Sequence, residues 1–360
     1  MKNEERGARY HRLRRRASVL STCFAAALLV LFVVTPLSRW LADAVHGSVT
    51  LYVLALAVVI ETLTLPLSFH AGWRLERRYG LSRETAGAWL RDQVKGFAVF
   101  AGVAVLAAEA VYFTARTWPE QWWLPAGLLL TTGTVAMTHL APVLLMPLFV
   151  RVKPLDRPEL ARRLARLSER AGVPVVGAFE WQLGDRTSKA NAALTGLGAT
   201  RRILLSDTLL ASYSDDEIEV ILAHELSHHV HHDLWAAMLV QAALLFGGVY
   251  AAQHVIAWVG PSAGVASAGD VAGLPLLLLT AGGLSLALTP LARALSRRHE
   301  RRADRFALRL TGAREAFVSA MKRLGAQNLA EESPSTLVRV LFHSHPPLAE
   351  RIARARMIDN

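Results

Sequence analysis

Long hydrophobic runs dominate the pattern of apolar and polar positions along the chain. Six of them are long enough to cross a bilayer as helices of about 20 residues. They lie at about 17–37, 49–70, 95–115, 124–148, 234–259 and 273–294. The first run is longer than the apolar segment of a signal peptide and no clear cleavage site follows it, so we expect it to be retained. The pattern predicts a polytopic membrane protein, mainly α-helical, with about six spans.

Amphipathic and alternating patterns replace the apolar runs between residues 150 and 233. An apolar stripe with helical spacing predicts an amphipathic helix over 157–172. Its members are Leu160, Leu164 and Leu167. Two β-type runs follow, in VPVVGAFEW and RRILLSD, and predict a small sheet. Ser214 and Glu217 then have the spacing of a capping box, which marks the start of another helix.

The positive charge follows the membrane spans. In a soluble protein, a net charge of +11 would suggest binding to nucleic acid. No basic binding motif with interleaved aromatic residues occurs in this sequence. Basic residues instead precede the first run and follow the second: Lys2, Arg6, Arg9, Arg12, Arg14, Arg15 and Arg16, then Arg74, Arg77, Arg78, Arg83, Arg91 and Lys95. The alternate loops have only two lysine or arginine residues, Arg39 and Arg116. These loops are 38–48, 116–123 and 260–272. This asymmetry predicts an integral membrane protein with both termini and residues 150–233 in the cytoplasm, and no nucleic-acid partner.

The stretch HELSHHVHH, which begins at His224, combines five histidines with one carboxylate. Residues four apart share a helix face, so His224 and His228 can direct ring nitrogens at one ion. This pair also encloses Glu225 directly after the leading histidine. The resulting HExxH arrangement is typical of two zinc ligands beside a carboxylate that can deprotonate water. The other histidines are interpreted as surface or interfacial side chains: His229, His231 and His232.

A third ligand must come from elsewhere, and it must be a histidine or a carboxylate because Cys23 is the single cysteine. The segment SRRHERRADRFAL places Glu300 and Asp304 one turn apart on one helix face. That spacing suits one ligand and one carboxylate that orients a ligand imidazole. His299 competes as a ligand but lies one residue off this face. Taken alone, the segment also fits a solvated helix of arginine–glutamate pairs.

Several motifs occur in order between about residue 60 and residue 360: YGLSRETAGAWLRDQVKG, MPLF, KPL, TSKANA, ILLSDTLL, AHELSHHVHHD, SRRHERRAD and SHPPLAERI. In this order they resemble the M48 metallopeptidases, and within them the Ste24 or CAAX prenyl protease 1 branch. The resemblance implies one Zn²⁺ bound by His224, His228 and Glu300. It also implies that Glu225 is the general base and that Asp304 supports the site.

The same resemblance assigns substrate binding, or stabilisation of the tetrahedral intermediate, to Asn191, His345 and Arg351. Asn191 flanks a predicted strand, where an extended peptide could add to a sheet edge. His345 or Arg351 could donate to a developing oxyanion. The residues alone do not distinguish His345 from His343, so that choice comes from the resemblance.

The expected fold is a helical membrane bundle with an inserted cytoplasmic zincin-like part that contains a small β-sheet. We divide the chain into membrane helices (1–150, with a cytoplasmic loop at 71–95), a peptidase part with the HExxH helix (151–233), two spans that continue into the third-ligand helix (234–310) and a helical part that completes the site (311–360). Eukaryotic relatives have seven spans around a water-filled chamber, and the first of these is expected to be absent here. Ionisable residues inside the spans, Glu61, Glu109 and His139, face either such a wet interior or a neighbouring helix.

The predicted function is that of a membrane-embedded zinc metalloendopeptidase. Its substrates would be membrane-associated, misfolded or prenylated CAAX-type proteins; the Ala-, Arg- and Leu-rich composition favours a bacterial plasma membrane and a broad specificity. The main alternative is a polytopic transporter or metal-handling protein with a histidine-rich cytoplasmic helix. It explains neither Glu225 nor the downstream motifs, and the spans show no internal repeat. The intact ligand set argues against an inactive peptidase.

Overall fold

The structure is a computed structural model that describes residues 2–196 and 198–357. Its helices are α1 (Lys2–Val34), α2 (Leu37–Ala44), α3 (Val49–Phe69), α4 (Leu75–Arg78), α5 (Ala86–Thr117), α6 (Trp123–Leu144), α7 (Met146–Phe149), α8 (Pro158–Arg170), α9 (Asp207–Ser212), α10 (Asp215–Val230), α11 (Asp233–Val259), α12 (Leu274–Thr311), α13 (Arg314–Gln327), α14 (Thr336–Phe342) and α15 (Leu348–Met357). Its strands are β1 (Arg151–Pro154), β2 (Gly177–Gln182), β3 (Ala192–Thr195) and β4 (Arg202–Ser206). A π-helical turn, His70–Arg74, joins α3 to α4.

Six helical segments of the described chain are long and apolar enough to cross a membrane, which confirms the predicted number of spans. They are Arg6–Val34, Val49–Arg78, Ala86–Thr117, Trp123–Pro142, Asp233–Ala263 and Val271–Thr311. Each span packs against the next, in the order α1, α3, α5, α6, α11, α12, and α12 packs back against α1. The six spans therefore close into a ring.

Two carboxylates within the spans, Glu61 and Glu109, have hydrogen-bond partners on neighbouring helices. The side-chain amide of Gln93 donates to Glu61 at 2.8 Å, and the hydroxyl of Thr50 donates to Glu109 at 2.6 Å. Both carboxylates thus take part in bonds between neighbouring helices, one of the two environments expected for them. His139 differs, because it lines a cavity that reaches the histidine cluster.

The part of the chain outside the ring contains a four-stranded mixed sheet in the order β1, β2, β4, β3. Strands β2 and β4 are parallel, whereas the two outer pairings are antiparallel. The two predicted β runs form β2 and β4, but β1 and β3 were not predicted. β3 lies at an edge of the sheet and packs against α10.

The predicted amphipathic helix forms as α8, and its apolar stripe is buried. Leu160, Leu164 and Leu167 pack into one hydrophobic core with side chains of β4 and α10. Gly172 adopts a φ of +71°, the left-handed conformation that commonly ends a helix. This core fixes α10 against the sheet, so the HExxH helix has a rigid support.

Candidate metal centre

A complete capping box starts the HExxH helix, α10. The Ser214 hydroxyl accepts a hydrogen bond from the backbone N–H of Glu217, and the Glu217 carboxylate accepts one from the N–H of Ser214 at 2.8 Å. Asp215 and Asp216 occupy the first turn, where the helix dipole favours negative charge. The helix start is thus set by sequence, and it fixes which face carries His224 and His228.

The third-ligand candidate comes from α12, a single helix of 38 residues that runs from the last span into the peptidase part. Ala303 and Ala307 are fully buried on this helix, and such small side chains allow α12 and α10 to approach closely. Glu300 faces the two histidines across this contact. Its Oε2 atom lies 3.3 Å from Nε2 of His224, and its Oε1 atom lies 3.6 Å from Nε2 of His228.

These three side chains offer one ligand atom each, all within 4.8 Å of one another. Their chemistry fits zinc, for which two imidazoles and one carboxylate are a common catalytic donor set. Oε2 of Glu300 is buried and, within the described chain, has no hydrogen bond of regular geometry. A cation bound between this oxygen and the two imidazole nitrogens would give the buried oxygen the partner that it lacks.

A carboxylate also lies beside the second ring nitrogen, Nδ1, of each of the two imidazoles. Nδ1 of His224 lies 3.0 Å from Asp304, and Nδ1 of His228 lies 2.9 Å from Asp233. In the neutral imidazole that binds a metal, an Nδ1–H that donates to a carboxylate leaves the lone pair on Nε2, the atom that faces Glu300. Asp304 therefore lies where the sequence predicted a supporting acid, whereas Asp233 was missed.

The electrostatic field around His224 attracts positive charge. Burial lowers the pKa of this imidazole, but Asp304 and Glu300 outweigh burial and raise the pKa to about 9. Arg351 compensates part of the negative charge, because its Nε and Nη2 donate to the two oxygens of Asp304 at 2.8 and 2.5 Å. This bidentate pair fixes Asp304, which in turn orients His224.

Glu225 is half-buried and lines a cavity of about 820 Å³ together with His228 and Glu300. The cavity lies between α10, α12, α6, α11 and the end of β3. Most of its wall is apolar, contributed by the ends of the spans that adjoin the peptidase part and by Leu194. A carboxylate thus faces space beside the ligand cluster, as a general base requires.

The structure separates the two histidines that the residues alone left equivalent. Nδ1 of His345 lies 2.8 Å from Oε2 of Glu300, although the His345 side chain is 62% exposed. His343 instead pairs with Glu331, at 3.3 Å. Only His345 therefore contacts the cluster.

Asn191 lies at the start of the edge strand β3, with an exposed side chain. Its backbone N–H donates to the Ser206 hydroxyl and its carbonyl accepts from the Ser206 N–H, both at 2.9 Å. Within the described residues, no contact joins its side chain to the ligand cluster. The opposite end of the strand, Leu194 to Gly196, lines the cavity.

The three remaining histidines lie outside the cluster of ligand atoms that the described residues form. His229 bonds through Nε2 to the Leu194 carbonyl at 3.3 Å, which ties α10 to β3. Nδ1 of His231 lies 2.9 Å from the Ser227 carbonyl. His232 adopts a left-handed φ of 55° between α10 and α11. This turn brings Asp233 back towards His228.

Replacing Asp304 with asparagine should weaken zinc binding without removing a ligand. The amide cannot accept the Nδ1–H of His224 and the Arg351 guanidinium as a carboxylate does, so we expect affinity to fall by about 10- to 100-fold. Competition with a fluorescent chelator measures this change. Full activity of Asp304→Asn at saturating zinc would show that Asp304 orients a ligand and is not one itself. A wild-type zinc affinity in this variant would contradict that role.

A histidine–histidine–glutamate cluster with a second glutamate beside it, at the base of a ring of membrane helices, defines a membrane-embedded metallopeptidase. Residues 154–359 match peptidase family M48, and residues 2–151 match the CAAX prenyl protease N-terminal domain, described as five membrane helices. The chain belongs to peptidase family M48. Four of the six spans lie within residues 2–151.

Individual relatives agree with this assignment. The chain is 31% identical over 313 residues to the uncharacterized metalloprotease YhfN of Bacillus subtilis, covering 86% of this chain and 73% of that one. It is 29% identical over 321 residues to CAAX prenyl protease 1 of Saccharomyces cerevisiae, covering 83% and 70%. The crystal structure of S. mikatae Ste24p has the same fold, with a TM-score of 0.82, 24% identity and coverage of 98% and 88%. The predicted zinc metalloendopeptidase is thereby confirmed, and the transporter alternative is not favoured.

Proposed function

We propose that His224, His228 and Glu300 hold one zinc ion and that Glu225 is the general base of peptide hydrolysis. The observation that carries this proposal is the convergence of two Nε2 atoms on a buried glutamate, with Glu225 facing the adjoining cavity. Zinc bound there would polarise the scissile carbonyl and increase the acidity of water. Glu225 would take a proton from the attacking water and pass it to the leaving amine.

The neighbouring residues have distinct proposed roles. His345 donates to the oxygen of the tetrahedral intermediate, because its exposed ring lies beside Glu300. Asn191 binds the backbone of a substrate that extends along the edge strand β3. The family resemblance assigned Arg351 to substrate binding or to the tetrahedral intermediate as well, but its guanidinium is engaged by Asp304. We therefore assign Arg351 to the orientation of Asp304 and His224.

The proposed location of the site is the cytoplasmic face of a bacterial plasma membrane. The distribution of lysine and arginine among the loops supports this orientation. The N-terminal end of α1 also lies on the peptidase side, because His11 bonds to the Leu329 carbonyl at 2.8 Å and Arg15 pairs with Glu331. The positive start of the chain and the metal cluster thus share one side of the ring.

The proposed substrates are membrane-associated or misfolded polypeptides, without a requirement for a prenyl group. The apolar cavity wall formed by α11 and α12 supports binding of a hydrophobic segment beside the scissile bond. Two relatives point to different substrate ranges by name, since one is called a CAAX prenyl protease and the other only a metalloprotease.

Cleavage of matched peptides tests the substrate proposal. Detergent-purified protein with measured zinc content is given one peptide with and without a farnesyl group, each with and without chelator. We expect chelator-sensitive cleavage of both forms, with kcat/KM values within about tenfold, or ~1.4 kcal/mol, because the proposed specificity depends on a hydrophobic segment of the substrate and not on a prenyl group. Strict dependence on the farnesyl group would overturn the broad specificity, and chelator-insensitive cleavage would overturn the zinc mechanism.

A further inference from the structure

Arg297 is a buried cation on α12, one turn before Glu300, and only 7% of its surface is exposed. No carboxylate pairs with it among the described residues. Its Nη1 atom instead donates to two backbone carbonyls, those of Arg339 at 3.1 Å and His343 at 2.7 Å. Burying a charged guanidinium without a carboxylate partner is costly. The two hydrogen bonds to carbonyls offset part of this cost.

The two carbonyls belong to the C-terminal end of α14. The Arg339 carbonyl also accepts the backbone N–H of His343 at 3.3 Å. A cation near the end of a helix complements its dipole. Arg293, one turn earlier on α12, donates to the neighbouring carbonyl of Phe342 at 2.8 Å. Two arginines on the helix that carries Glu300 thus hold the end of α14.

The chain reaches His345 two residues beyond the bond to His343. Pro346 and Pro347 follow directly, and a residue that precedes proline is restricted to extended backbone conformations. Beyond the prolines, Arg351 anchors α15 to Asp304. The segment with His345 is therefore fixed at both ends to α12.

His345 has little packing of its own to hold it, since its side chain is mostly exposed and its ion-pair contact is Glu300. The position of its ring must come from the backbone on either side. Arg297 does not line the cavity, whereas its neighbours Ser296, His299 and Glu300 do. Arg297 thus faces the backbone behind His345, away from the substrate.

We propose that Arg297 is a positioning residue, which places the His345 ring beside Glu300 by binding the carbonyls of Arg339 and His343. This proposal rests on the proposed role of His345 as a donor to the tetrahedral intermediate. A misplacement of about 1 Å at a catalytic group can reduce turnover about 10²-fold. The effect should fall on kcat, because Arg297 contacts neither the substrate cavity nor the zinc ligands.

The test begins with Arg297→Gln in full-length, zinc-loaded protein. We expect kcat to fall by about 10- to 100-fold, with KM changed less than about threefold and zinc content unchanged. Arg298→Gln is the matched control, because Arg298 is the next residue on α12, is exposed and has no described partner. It should retain wild-type kcat. Wild-type kcat in Arg297→Gln, or a loss of zinc that accounts for its defect, would overturn the proposal.

A double-mutant cycle with His345→Ala separates positioning from general damage to the fold. If Arg297 acts through His345, Arg297→Gln causes no further loss of kcat in the His345→Ala background. If the losses of kcat from the two substitutions add, the positioning role of Arg297 is contradicted and the function proposed for His345 is not. If His345→Ala keeps wild-type kcat, the function proposed for His345 is itself contradicted. If Arg297→Gln does not fold, Arg297→Lys is used in the same cycle. The lysine should lower kcat about threefold to tenfold, again only when His345 is present.

Discussion

Replacing Glu225 with glutamine is expected to lower kcat about 10³-fold while zinc remains bound. Glutamine keeps the size of the side chain but cannot take a proton from the attacking water or pass it to the leaving amine. The three proposed ligands are His224, His228 and Glu300, so the substitution leaves the donor set intact. Metal analysis and steady-state cleavage of one peptide, on the same preparation, measure both quantities.

The matched control is Asp216→Asn, the same change from acid to amide at the exposed start of α10. Asp216 pairs with Arg163 on the protein surface, far along the helix from the cluster. An exposed pair of this kind contributes little, so activity and zinc content should stay at wild-type values. Rapid cleavage by zinc-loaded Glu225→Gln would refute the general-base assignment, and loss of zinc from this variant would show that Glu225 helps to bind the metal.

Much of the framework around this site could be predicted from local sequence patterns. The six apolar runs, the leucine stripe of α8 and the capping box of Ser214 and Glu217 are each set by residues close together in sequence. The spacing of His224 and His228 on one helix is likewise a local property. Such patterns depend on helix periodicity and capping chemistry alone, which explains why the structure agrees with them.

The features that were missed depend on contacts between distant residues or on unusual backbone geometry. Asp233 reaches His228 because His232 adopts a left-handed conformation, and the spacing of five residues gives no helical signal for that contact. The acid directly after the histidine cluster was the available clue. β3 is a short strand whose alternation is too brief to recognise, and it forms by pairing with β4.

The distinction between His343 and His345 also required the structure. Both residues flank the same short turn, and both find a glutamate partner. Which partner is the metal-site glutamate depends on how α12 holds the end of α14. The arginines of α12 that hold this turn look, in the sequence alone, like the solvated face of a charged helix.

Replacing Glu300 with alanine should abolish both zinc binding and peptidase activity. Only the two imidazoles would remain as ligands, and a tetrahedral catalytic site requires three protein ligands and one open position. We therefore expect zinc affinity to fall by more than the ~10- to 100-fold expected for Asp304→Asn. Inductively coupled plasma mass spectrometry after gel filtration measures zinc per chain, and peptide cleavage measures activity.

The comparison between these two acids of α12 distinguishes a ligand from a supporting residue. Excess zinc should restore cleavage by Asp304→Asn, because its ligand set is complete, but not by Glu300→Ala. Glu315→Ala, at an exposed position of the neighbouring helix α13, controls for loss of a glutamate and should behave as wild type. If Glu300→Ala retained one zinc per chain, the third ligand would have to be another side chain at the site; His345, which lies 2.8 Å from Glu300, would be the first candidate.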